Sequence, residues 1–196
     1  IGRGDCSTAW NVANLVSHHR TLALFSKQAQ DEVWNENPDA LIAAGIAYPQ
    51  GRAKKVDGGL MISGTWNFCS AVNDSTWNML ACMVMENDKP VDWVQCLLRD
   101  SEYEIIDDWQ TMGMRGTGSN DLQAEEVFVP EYRATSLLQT LEGATPGQAA
   151  HENPQYQLPF IPFLMCEVVP VLVGGLRGAA EAFVERVRHR AGTISG

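Results

Sequence analysis

Between residues 41 and 133 the hydrophobic pattern changes from helix-like to strand-like and stays so for the whole stretch. Six short runs follow one another there: "ALIAAGIAY", "KKVDGGLMISGTW", "NMLACMVME", "DWVQCLLR", "YEIIDDW" and "LQAEEVFVP". Each is bounded by Gly, Asn, Asp or Pro, which mark strand ends. "VDGG" is a strong hairpin turn, because Asp-Gly-Gly readily takes positive φ. With no helical pattern between the runs, the chain is predicted to form a mostly antiparallel sandwich or barrel here.

The flanks read differently. Residues 7–34 are predicted helical, with Ser7 or Thr8 as cap and Ala9, Val12, Ala13 and Val16 at helix spacing. "TLALFSKQAQDEVW" continues as a second helix, and "NENPD" breaks it. Residues 134–160 read as loop, and a helix resumes near 163 and runs to about 190. Leu172, Leu176, Ala179, Ala180, Phe183 and Val187 form one apolar stripe on it, and "ERVRHR" supplies a basic last turn. The predicted class is α+β. Residues 1–40 are the end of a helical domain, 41–133 a central β domain, and 134–196 a loop with the first helix of another helical domain. A lone helix with an apolar stripe needs partners. The chain of 196 residues starts on Ile1 and ends on small residues, so it is read as a fragment of a longer polypeptide.

A formal charge of −10 argues against nucleic acid, since phosphate binding needs a basic face. The longest apolar run, Leu164 to Leu176, is interrupted by Glu167 and Pro170, so no membrane span is predicted. Five scattered cysteines without a CxxC pair fit buried thiols in a reducing compartment better than disulfides or zinc. The four histidines show no ligand spacing, and no metal site is predicted.

Three stretches could carry chemistry. "GMRGTGSND", residues 113–121, is rich enough in glycine for its backbone N–H groups to cradle an anion, with Arg115 beside them. The same composition also suits a plain strand-to-strand connection. Trp66, Phe68 and Ser70 lie two apart, so an extended strand would put all three on one side. They would then make either a flat apolar wall with a hydroxyl or the ordinary aromatic core of a strand. His18 ends the Trp-led helix "STAWNVANLVSHH". It is either a base, with an ordinary pKa of roughly 6.5, or a surface histidine. His19 points about 100° away on a helix, so at most one of the two serves.

"VDGGLMISGTWNFCS", "DDWQTMGMRGTGSNDLQAEEVFVPEYR" and "LALFSKQAQDEVW" together resemble the acyl-CoA dehydrogenase superfamily. Within it they are most similar to the oxygenase components of two-component flavin-dependent monooxygenases, of the seco-steroid phenol hydroxylase and p-hydroxyphenylacetate hydroxylase kind. The resemblance covers nearly the whole chain. It implies a cytoplasmic homotetramer when full length, using reduced FMN or FAD from a separate flavin reductase, with O2, to hydroxylate an aromatic, phenolic substrate. It implies flavin contact for Trp66, Phe68 and Ser70, with Phe68 standing where related dehydrogenases have Thr. Arg115 would meet a flavin phosphate or brace its loop, and His18 would take the phenolic proton. Glu167 lies near, but about one residue off, the base of one dehydrogenase branch. The "TEP…GSD" signature of dehydrogenases is replaced by "GIAYPQGRA". The alternatives are a dehydrogenase-type FAD enzyme and a catalytically silent binding or assembly protein.

Overall fold

The computed structural model describes residues 1–190. Two helices, α1 (Cys6–Leu22) and α2 (Lys27–Glu36), precede the strands β1 (Ile42–Gly45), β2 (Gly51–Val56), β3 (Gly59–Trp66) and β4 (Trp77–Glu86). Then come β5 (Lys89–Arg99), β6 (Glu104–Ile106), β7 (Asp121–Pro130) and β8 (Ala134–Ser136). Two short helices, α3 (Leu137–Glu142) and α4 (Pro146–Ala150), lead to the long α5 (Phe160–Arg190).

The cap of α1 is Asp5, not Ser7 or Thr8: its carboxylate accepts from the Thr8 N–H at 2.6 Å. The second helix begins at Lys27, capped by Ser26, and "TLALF" forms the corner before it. The buried Gln30 amide holds that corner, donating to the carbonyls of Ala23 at 3.1 Å and Phe25 at 2.9 Å. These are the carbonyls a helix end leaves free. The spacing-based stripe on α1 is only partly right. Ala9 is buried, but Val12 and Val16 are exposed, and the buried face carries Ser17, His18, Arg20 and Thr21 instead.

The strands form one eight-stranded sheet in the order β6-β7-β3-β2-β4-β5-β8, with β1 also paired to β4. It is mostly antiparallel; only β1 and β2 run parallel to β4. Strand β4 is buried on both faces, and its alternation sorts two cores. Leu80, Cys82 and Val84 form one core with Ile62, Leu98, Leu122 and Val129. Trp77 and Met79 point the other way, onto Leu22, Phe25, Ala29 and Val33 of the helical segment. No α-helix falls within residues 78–108, where the one helical element is a 3-10 turn at Asp100–Glu102. The α2 side is further tied by Arg133, whose guanidinium pairs with Glu32 and, at 3.3 Å, with Glu102, over the Trp77 ring.

Residues 134–160 are more ordered than a loop. Ser136 caps α3, while Thr145 and Gln148 form a capping box around Pro146 at the first position of α4. Gly147 lies against the corner 23–25 so closely that a Cβ would sit 2.0 Å from the Ala23 carbonyl oxygen. The last helix starts at Phe160, three residues earlier than the pattern suggests, and continues through Pro170. It packs on the N-terminal segment through glycine: a Cβ at Gly178 would lie 2.2 Å from the Arg3 carbonyl oxygen. Its predicted stripe is exposed at Leu172, Leu176, Phe183 and Val187. Glu167 and Pro170 do not break it, so the apolar stretch runs on beyond the interruption that these two residues predict. By length and composition the helix could cross a membrane, with mean hydropathy 1.7 and 11% of the apolar window buried. Residues 191–196, the end of the third predicted segment, lie outside the described residues.

Candidate functional site

Trp66, Phe68 and Ser70 do not share a face. Strand β3 ends at Trp66, whose ring is fully buried and whose Nε1–H donates to the Ala81 carbonyl at 2.7 Å. The indole occupies a slot that glycine leaves open. A Cβ at Gly51 would lie 2.1 Å from its Cζ2 atom, and one at Gly64 would lie 3.1 Å from Cη2. Trp66 is therefore a core residue rather than an exposed wall. Phe68 then takes φ of +64°, which ends the alternation and turns its ring outward, 60% exposed. Ser70 turns inward toward α1.

Around Ser70 two loops are stitched together. Ala71 N–H donates to the Thr117 carbonyl at 2.8 Å, and Cys69 N–H to the Asn120 carbonyl at 3.2 Å. Asn120 Oδ1 accepts from the backbone N–H groups of Asp108 at 3.1 Å and Trp109 at 2.9 Å. Three non-glycine residues in these loops, Phe68, Ala71 and Met114, have positive φ. Such strain persists where the surroundings over-determine the backbone and is concentrated at functional sites. A chain of polar contacts runs through the junction. Trp10 Nε1–H donates to Ser70 Oγ at 2.9 Å, Ser70 Oγ lies 2.8 Å from Ser119 Oγ, and Ser119 Oγ lies 2.6 Å from Thr117 Oγ1. Thr117 Oγ1–H in turn donates to the Met114 carbonyl at 2.9 Å.

The rim of this junction is apolar and cationic. Phe68 meets Trp109 edge to face at 6.1 Å between ring centroids, and Met112 and Met114 are exposed beside Arg115. Arg115 is exposed and makes no ion pair among the described residues. Asn11 donates to the Gly116 carbonyl at 3.2 Å, yet its Oδ1 is buried without a partner. An aromatic pair with one ring exposed and the other half-buried, a hydroxyl, an unpaired guanidinium and an orphaned amide oxygen fit a flat, polar-edged anionic group such as a flavin. The clefts of about 300 Å³ and 440 Å³ elsewhere on the sheet share no residue with this junction. Trp10, Trp109, Thr117 and Ser119 are the members that the sequence reading does not single out. For Thr117 and Ser119 the small hydroxyls inside "GTGS" are the visible signal; the two tryptophans carry none.

His18 sits about two turns further along α1, roughly 12 Å from Trp10 along the axis. It is buried, and its Nδ1 lies 2.6 Å from the Ile42 carbonyl oxygen. A carbonyl only accepts, so Nδ1 carries the proton and Nε2 keeps the basic lone pair. Desolvation lowers its pKa to about 4, with the Ile42 hydrogen bond opposing, so the ring is neutral near pH 7. His19 is committed elsewhere: it accepts from Trp34 Nε1–H at 3.0 Å and stacks on that ring. Glu167 on α5 has a buried Oε1 without a hydrogen-bond partner, and desolvation raises its pKa to about 7 against the pull of Ser17 and Arg20. No cluster of three His, Cys, Asp or Glu able to hold a metal occurs among the described residues.

Comparison with known proteins places the chain in a class. No protein-family model matches the chain. Nearly all of it is homologous to one half of the oxygenase components of flavin-dependent monooxygenases. The particular relatives are three. A pigment production hydroxylase of Rhodococcus sp. (strain ATCC 21145) is 43% identical over 96% of this chain and 49% of its own length. The crystal structure of the HsaA monooxygenase from Mycobacterium tuberculosis superposes with a TM-score of 0.92 at 35% identity, over 96% of this chain and 49% of that one. The oxygenase component of an FADH(2)-dependent resorcinol hydroxylase from Rhizobium sp. (strain MTP-10005) is 33% identical over 97% of this chain and 47% of its length. The chain thus spans about half the length of the curated relatives it matches.

Proposed function

We propose that the whole protein is the oxygenase component of a two-component flavin-dependent monooxygenase, acyl-CoA dehydrogenase-like in fold. It takes reduced FMN or FAD from a separate reductase and, with O2, hydroxylates an aromatic, phenolic substrate. The observation that carries this is the match of nearly all of this chain to about half the length of flavin-dependent oxygenase components, with a polar-edged aromatic junction built at Ser70. Reduced flavin with O2 supplies the oxygen atom; the chain's residues bind, orient and exclude water. Phe68 and Ser70 flank the ring system, Trp66 supports them from behind, and Arg115 meets the phosphate. His18 Nε2 receives the phenolic proton, which raises electron density on the ring carbon ortho to the oxygen. The exposed stripe of α5 belongs to a helical domain at the core of a cytoplasmic homotetramer. The test mixes the whole protein with chemically reduced FMN or FAD, a phenol and ¹⁸O2. A hydroxylated product carrying one labelled oxygen supports the reading, and turnover of an acyl-CoA instead would replace it with dehydrogenation.

A further inference from the structure

Residues 151–159 form a strap between α4 and α5, fastened near both of its ends. His151 Nε2 lies 3.0 Å from Gln30 Oε1, and the His151 ring stacks on Tyr156 at 4.4 Å between centroids. Further on, Arg20 Nη2 donates to the Leu158 carbonyl at 2.6 Å, with the guanidinium carbon 4.4 Å from the Phe163 ring centroid. Arg20 is only 7% exposed, yet its Nε and Nη1 are buried without a hydrogen-bond partner. Glu167 faces it from α5, and its buried Oε1 also lacks a partner. No ion pair joins the two among the described residues. A cation and a carboxyl thus sit on either side of one helix interface, each with unused hydrogen-bonding atoms. The guanidinium is a rigid plane pinned at Leu158 and Phe163, so closing on Glu167 takes it off the Leu158 carbonyl.

We infer that Arg20 is a two-position latch: it fastens the strap while the Glu167 carboxyl is neutral, and swings to Glu167, releasing the strap, once that carboxyl is charged. A neutral carboxyl offers Arg20 no counter-charge, so the Leu158 carbonyl holds it. A carboxylate changes the balance, because a buried charge without a partner is costly and an arginine–carboxylate pair is among the stronger hydrogen-bonded contacts. The swing satisfies both orphaned groups at once. Burial raises the Glu167 carboxyl to about 7, against the pull of Ser17 and Arg20, so the changeover falls between pH 6 and pH 8. The other groups around the latch are Tyr156 on the strap and His18 and His19 on its own helix. His18, lowered to about 4 by burial, stays neutral across that window. The strap covers the Arg20 end of α1, so the latch sets how readily that end meets solvent.

The test is amide hydrogen exchange of the whole protein at pH 6 and pH 8, read by mass spectrometry over the strap and over the surface helix α3. Each wild-type rate is divided by that of Glu167→Gln at the same pH. The division cancels the intrinsic effect of pH on exchange, and with it any contribution of His151, which both proteins share. The ionised fraction of a group titrating near 7 rises from about one-tenth to about nine-tenths over this span. The strap ratio should therefore stay close to unity at pH 6 and reach roughly 5- to 10-fold at pH 8, while α3 stays close to unity at both. Arg20→Met should free the strap at both pH values and abolish the difference; where that variant does not fold, the Glu167→Gln comparison alone decides. A strap ratio that is the same at pH 6 and pH 8 overturns the latch. So does an equal rise in α3, which would mean general loosening rather than release of the strap.

Discussion

Trp10 and Ser70 are 60 residues apart in the chain, yet the Trp10 indole N–H donates to Ser70 Oγ at 2.9 Å. That bond fastens α1 to the loop after β3, and so joins the helical segment to the β domain at the candidate site. A double-mutant cycle of Trp10→Phe and Ser70→Ala should show a coupling of about 0.5–1.5 kcal/mol in urea unfolding. Strict additivity would mean that the bond does not contribute in solution.

The slot that holds Trp66 predicts a second outcome. A Cβ at Gly51 would meet the indole at 2.1 Å, and the Cys82 Sγ at 2.8 Å, so Gly51→Ala must displace a buried ring. Overpacking of this kind costs about 1–3 kcal/mol. The change should appear in urea unfolding and as an altered near-ultraviolet circular dichroism signal. A variant as stable as the wild type would show that the slot has slack.

These two sites also show what the sequence could and could not disclose. Period-two runs and the "VDGG" turn make strands legible between 41 and 133, because strand alternation is a local property, but β8 (Ala134–Ser136) joins the same sheet from the stretch read as loop. The one-sided placement of Trp66, Phe68 and Ser70 fails at Phe68, where a positive φ of 64° ends the alternation. Nothing in "TWNFCS" announces that turn, since it is imposed by the contacts of Cys69 and Ala71 with Asn120 and Thr117. Glycines 51 and 64 make Trp66 a core residue, and that is visible only once β2 and β3 are paired. The short helices within 134–160 were in principle readable from "TPGQ", a capping box with proline at its first position. His18 was legible as a candidate; its burial against Ile42 depends on the parallel pairing of β1 with β4.

Glu167 carries a pH signature. Its carboxyl is raised to about 7 by burial, whereas an unfolded glutamate titrates near 4.3. Below that lower value both states are protonated. As pH rises toward 7, the unfolded state ionises first, so stability is lost across that window. Glu167→Gln cannot ionise. It should match the wild type near pH 4 and exceed it at pH 8, as measured by urea unfolding. His18, lowered to about 4, acts in the opposite sense as pH falls from roughly 6.5, so the difference between wild type and Glu167→Gln isolates the carboxyl. A pH-independent difference would remove the buried carboxylate as its source.

His18→Ala should slow hydroxylation by the whole protein roughly 10²–10⁴-fold, the usual worth of general-base help. Hydrogen peroxide release should rise as oxygen use uncouples from product. His19→Ala should do much less, because His19 is held by Trp34 at 3.0 Å rather than beside Ile42. Product and peroxide are counted in the same assay. Equal losses from the two changes, or none from His18→Ala, would take His18 out of the mechanism.

The measurement closest to the central claim is anaerobic titration of the whole wild-type protein with reduced and oxidised flavin. Reduced FMN or FAD should bind tightly and saturably, and the oxidised form distinctly more weakly. Tighter binding of oxidised FAD, bleached on adding an acyl-CoA without oxygen, would contradict it.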